Sequence, residues 1–139
     1  MMVYLAADQP LDFVAWDDDH PAFWVGEPSA DEERVRSQFS KPYVVFVGAH
    51  EGCSCGFQYA RWPSDSLEPD ELARCQQSLK EFADYLDGQV ASLGEIDLYA
   101  CWDGDQEATP EHQRNLSPAD FRRRDFVLFE KELSRIRVS

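Results

Sequence analysis

The sequence predicts one α/β (or α+β) domain over residues 1–139. One long and two short helices pack on a mixed sheet of four to six strands. Three observations carry this expectation. Tyr43–Val47 is apolar at every position, as a strand covered on both faces must be. Leu72, Cys75, Leu79, Phe82, Ala83 and Leu86 recur at three- and four-residue steps, the period of a helix with one buried side. Glu95–Trp102 then places Ile96, Leu98 and Ala100 on one face of a second core strand.

The other elements follow from local chemistry. Val3–Ala6 makes a short strand that Asp8 and Pro10 end. Residues 9–28 are irregular and anchored by Trp16, Phe23 and Trp24, with a short strand over Ala22–Val25. Within them Asp17, Asp18, Asp19 and His20 read as a solvated acidic loop, because adjacent Asp residues in extended chain point different ways. Ser29 and Glu32 form a capping box, opening a helix to about Phe39 with Val35 and Phe39 turned inward. Phe57–Trp62 extends as a strand or an ordered return, and 63–69 is a turn-rich linker. Pro69, Asp70 and Glu71 suit the first turn of the long helix, which Gly88 or Gly94 ends. Ser117 and Asp120 start a brief helix to about Arg123. Residues 125–138 hold a strand at Phe126–Phe129 that continues toward Arg135–Val138; the competing reading is a helix over Leu128–Ile136.

Charge narrows the partners. Acidic residues outnumber Lys and Arg by 27 to 13, and the formal charge of −14 repels phosphate backbones and anionic membrane surfaces. A basic protein partner stays compatible with it. No apolar run approaches the ~18 residues of a membrane span, and no charged leader precedes an apolar stretch. Four cysteines, at 53, 55, 75 and 101, are too few for a disulfide-built scaffold, so a cytoplasmic protein with reduced thiols is expected.

Chemistry concentrates after the strand at 43–47, where Gly48 leads into His50-Glu51-Gly52-Cys53-Ser54-Cys55. A right-handed crossover through the long helix would set that strand parallel to 96–101 and bring Cys101, Asp103 and Asp105 to the same sheet edge. Three chemistries compete there. His50, Cys53, Cys55 and Cys101 make a Cys₃His set of structural-zinc composition, although one residue between Cys53 and Cys55 is short for a zinc knuckle. Cys53 and Cys55 would alternatively form a strained, reducible disulfide. Either thiol, activated by His50, would serve as a nucleophile. The plainer account is structural, with small buried cysteines and His50 satisfying a backbone carbonyl. The stretch resembles bacterial proteins of undefined activity that share a His-Glu-Gly-Cys-x-Cys-Gly-Phe sequence, so the resemblance implies no particular reaction. Cys75 lies on the apolar side of the long helix and reads as core.

Other signals fail on inspection. Asp103-Gly-Asp-Gln-Glu107 starts like a calcium loop, but Ala108 and Arg114 occupy the positions that need Gly and Glu. Arg122–Arg124 pairs with the chain's own carboxylates. Two function classes remain. One is an acidic protein whose Cys/His loop holds a metal or cycles thiol redox state, and the other is a toxin-neutralising or regulatory protein that docks a basic partner.

Overall fold

The computed structural model describes residues 1–61 and 66–138. Six strands form one mixed sheet: β1 (Met2–Ala7), β2 (Phe23–Gly26), β3 (Tyr43–Ala49), β4 (Glu95–Cys101), β5 (His112–Leu116) and β6 (Glu132–Arg137). Their spatial order is β2-β3-β1-β4-β6-β5. Among the described residues only β5 and β6 pair in parallel, and the other neighbouring strands are antiparallel. The helix α1 (Pro69–Leu93) crosses one face, and three 3₁₀ segments, Ala30–Gln38, Cys55–Arg61 and Pro118–Arg122, complete the described elements. The mixed α/β class expected from the sequence is the one observed.

α1 is long because its apolar stripe stays in phase for its whole length. Cys75, Leu79, Phe82, Ala83, Leu86 and Val90 are all buried. Pro69 opens the helix, where its missing N–H costs nothing. Gly88 does not interrupt it; Gly94 ends it at φ 85°, with its N–H donating to Val90 O at 2.8 Å. This stripe packs with Phe23, Phe57, Phe121 and Phe126 on Val3, Leu5, Val45, Val47, Ile96 and Leu98. The opposite face carries a smaller cluster of Tyr4, Val44, Phe46, Tyr99 and Cys101, covered by Val35 and Phe39. Strand β3 is therefore enclosed on both sides, as its apolar run required.

Strands β3 and β4 point the same way, but they are not neighbours. β1 lies between them, antiparallel to both. Both short helices start where their Ser residues predict. Ser29 N donates to Glu32 Oε1 at 3.0 Å and Ser117 N to Asp120 Oδ2 at 2.8 Å. Arg122 and Arg123 bind Asp84, Asp87, Asp120 and Asp125, the self-pairing expected of them. The acidic loop at 17–20 is tied to itself, with Asp17 Oδ1 accepting from the N–H of Asp19 at 3.0 Å and of His20 at 3.3 Å.

Three expectations are corrected. Of the strand and the ordered return expected over Phe57–Trp62, the strand is the one corrected: residues 55–61 form a 3₁₀ segment packed on α1, burying Phe57 and Gln58. Trp62, and 63–65 of the expected linker, lie outside the described residues. Phe126–Phe129 is not a strand, although Phe126 and Leu128 are buried. Side chains take the place of a ladder there: Gln58 Oε1 accepts from Leu128 N at 3.1 Å, and Arg61 Nη2 donates to Leu128 O at 2.8 Å. Lys131 at φ 57° then turns the chain into β6, which rules out a helix through Leu128–Ile136. Strand β5 carries no sequence signal, because HQRNL has no apolar alternation. Its inward Arg114 is instead satisfied by Glu132, which is 0% exposed and 2.9 Å away.

Candidate metal centre

The site is assembled where β3 runs out. Ala49 N–H donates to Cys53 O at 2.8 Å and Gly52 N–H to Ala49 O at 3.0 Å, closing a tight turn with Gly52 at φ 91°. Two anchors fix this turn to the sheet. Ser54 Oγ accepts from Val3 N at 2.9 Å and donates to Val47 O at 2.5 Å, joining β1 to β3 at a paired position. Trp24 Nε1 donates to Gly52 O at 3.0 Å, its indole lying where any side chain at Gly48 would stand.

His50 therefore leaves the sheet in a fixed direction, toward the first turns of α1. Gly56 makes room for its ring, since a Cβ there would come within 2.9 Å of Cε1 and Nδ1. Ser78 Oγ accepts from His50 N at 3.1 Å, lies 3.2 Å from Nδ1, and is 2.6 Å from Ala22 O. A carbonyl can only accept, so the single hydroxyl proton goes to Ala22. Nδ1 is then the donor to Ser78, and Nε2 is the nitrogen aimed outward.

Nε2 faces Glu71 Oε1 at 2.9 Å and Glu51 Oε1 at 3.4 Å. One helical turn on from Glu71, Cys75 Sγ is 3.8 Å from the same Oε1. The ligand atoms of His50, Glu71 and Cys75 all lie within 4.8 Å of one another, and the group could hold a metal ion. Its floor is buried and its mouth is not. The His50 side chain is 4% exposed, Glu71 25% and Glu51 55%. Hydrogen bonds from Arg74 first, and then from His50, pull Glu71 down to about 2, so it is a carboxylate at any physiological pH. Burial, reinforced by Glu71 and Glu51, pushes the Cys75 thiol up to about 11. Without a cation it stays protonated.

The other sequence candidates are placed differently. Cys101 is buried on the far side of the sheet from α1, its thiol raised to about 12 by burial and by Asp105 and Asp103. Cys53 and Cys55 flank the anchored Ser54 as free thiols, with Cys55 N 3.4 Å from Cys53 Sγ and the Met1 amino group 3.2 Å from Cys55 Sγ. Among the described residues, no three of His50, Cys53, Cys55 and Cys101 gather closely enough to share an ion. Burial raises the Cys53 thiol, which disfavours it as a resting thiolate nucleophile. Ser78 is no hydrolytic nucleophile either: it is fully buried and its proton is committed to Ala22. Cys75 is in the core, as the helix pattern says, yet it also belongs to the cluster. The signal for that was its i, i+4 spacing from Glu71, which puts both on one helix face.

No family model, curated protein or solved structure matches the chain. Among the described residues, no helix is long and apolar enough to cross a membrane.

Proposed function

We propose that this protein binds a zinc-class divalent ion through His50 Nε2, Glu71 and the Cys75 thiolate. The observation that carries the reading is the hydrogen bond from Nδ1 to Ser78. Metal-bound histidines nearly always donate their other ring N–H to a fixed acceptor, which sets the tautomer and the ring direction. The mixed N, O and S donor set suits a borderline-soft ion. A tetrahedral ion with bonds of ~2.0–2.1 Å holds an N and an O ligand roughly 3.3 Å apart. Glu71, only partly buried, would move back by a few tenths of an ångström to admit one. The ion would tie the turn after β3 to the first turns of α1. Its fourth position would face Glu51 and solvent, leaving room for a water or a substrate oxygen.

Elemental analysis of untagged protein purified without chelator tests this. One zinc per chain is expected, lost in His50→Ala and in Cys75→Ser but kept in Cys101→Ser. Zinc retained by His50→Ala would sink the proposal.

A second reading rests on the close approach of Cys53 and Cys55 beside an exposed turn. These would be a thiol pair in redox exchange, suited to the reducing cytoplasm. Cys53→Ser separates the two, since it abolishes redox cycling and leaves zinc content unchanged. Docking of a basic protein on the acidic surface predicts complex formation that weakens steeply with salt.

A further inference from the structure

The face of the sheet opposite α1 is covered over β1 and β3 but bare over β6 and β5. Register places Asp97, Arg135 and Asn115 in one row across β4, β6 and β5, with Leu133 and Gln113 in the next. These residues line a groove of about 530 Å³, within the size range of small-molecule sites. Asp97 is 8% exposed, and its two oxygens differ. Lys41 Nζ holds Oδ2 at 3.0 Å, whereas Oδ1 is buried without a hydrogen bond among the described residues, with Arg135 Nε 3.6 Å away. A buried carboxylate oxygen left without a donor is costly, and a donor is what the groove lacks. Arg135 is half-exposed, and both of its ion pairs run through Nε, to Glu95 at 3.2 Å and to Asp97. Gln113 and Asn115 are exposed on the edge strand.

The geometry points to a second binding site, for a small zwitterion of the α-amino acid class. Its ammonium group meets Asp97 and reaches the buried Oδ1 once the half-exposed Arg135 side chain, 3.6 Å from that oxygen, swings out toward the ligand. Its carboxylate meets the Arg135 guanidinium, and its side chain lies over Leu133 beside the carboxamides of Gln113 and Asn115. Opposite charges on neighbouring strands of one row select a molecule that carries both, and they discriminate against simple cations and simple anions. The site lies across the sheet from His50 and does not depend on metal.

Titration of the full chain with L-alanine, followed by amide ¹H–¹⁵N shifts, tests this, with L-alaninamide and N-acetyl-L-alanine as single-charge controls. Saturable shifts at residues 97, 113–115 and 133–135 are expected, with at least tenfold weaker binding of either control. Asp97→Asn should weaken L-alanine binding by tenfold or more. Because that change also disturbs Lys41, the half-exposed Arg135→Gln serves as the second variant and should do the same with the fold intact. Shifts that do not saturate, that match those of the controls, or that persist in Arg135→Gln would overturn the site.

Discussion

The hydroxyl of Ser78 sits 3.2 Å from His50 Nδ1 while its own proton goes to the carbonyl of Ala22, 2.6 Å away. One small side chain on α1 thus decides which imidazole nitrogen points at Glu71 and Cys75. Ser78→Ala leaves two buried N–H groups, those of His50 N and Nδ1, and the part-buried Ala22 carbonyl without this partner, and each buried N–H costs about 1–3 kcal/mol. Unfolding midpoints in urea should fall accordingly. Zinc affinity should fall about 10–100-fold, the usual effect of losing a ligand's outer hydrogen bond. An unchanged affinity in a folded Ser78→Ala would mean that the imidazole is held by other groups.

Metal binding at this site should release protons. Cys75, raised to about 11, must give up its thiol proton to become a ligand, and any proton on Nε2 must leave as well. Calorimetry in buffers of different ionisation enthalpy should show release of about one to two protons per ion at neutral pH. Heats independent of the buffer would exclude the thiolate ligand.

Two glycines carry opposite kinds of intolerance to a methyl group. A Cβ at Gly48 would fall 1.9 Å from Trp24 Nε1, so Gly48→Ala must expel the indole from β2 and free the turn at Gly52. The cost should be about 1–3 kcal/mol or more, as for other overpacked sites. At Gly56 the added carbon meets the His50 ring at 2.9 Å. Gly56→Ala should therefore weaken metal binding more than it lowers stability. Tryptophan fluorescence read beside a zinc titration separates the two variants.

Acid should destabilise the fold through Glu95 as well as Glu71. Glu95 accepts from Lys41 at 2.8 Å and from Arg137 at 2.7 Å, contacts that lower it to about 2. A carboxyl whose folded value lies below its ordinary one contributes stability that is complete above the ordinary value. That stability is lost as pH falls toward the folded value. Unfolding free energy should drop between about pH 4.5 and pH 2, and Glu95→Gln should flatten the drop. A profile for Glu95→Gln parallel to the parent's would show that the Lys41–Glu95–Arg137 contacts contribute nothing to acid sensitivity.

Ser54 makes the reverse case from the cysteines beside it. Its Oγ joins Val3 N to Val47 O inside the sheet, so Ser54→Ala should cost about 1–3 kcal/mol. Cys55→Ser, at an exposed position, should stay within about 0.5 kcal/mol of the parent. Equal effects in thermal unfolding would contradict the assignment of the turn's anchor to Ser54.

The sequence by itself determined the elements whose signals are local and periodic. The apolar stripe of α1, the enclosed run of β3 and the Ser29 and Ser117 caps each depend on residues within a few positions of one another, so their chemistry is legible without a partner. It also marked the loop of His50, Cys53 and Cys55 beside a strand end, with the two cysteines as the expected reactive groups and His50 as their partner. Tertiary structure alone decided what His50 meets. Alternation along β4 turns Cys101 to the face opposite Ile96, Leu98 and Ala100, away from His50, and α1 delivers Glu71, Cys75 and Ser78 from more than twenty positions away. Strand β5 was hidden for the same reason. Arg114 is polar by composition, and only the buried Glu132 across the ladder makes it an inward residue. Burial and pairing are properties of two segments at once, and a linear pattern records one.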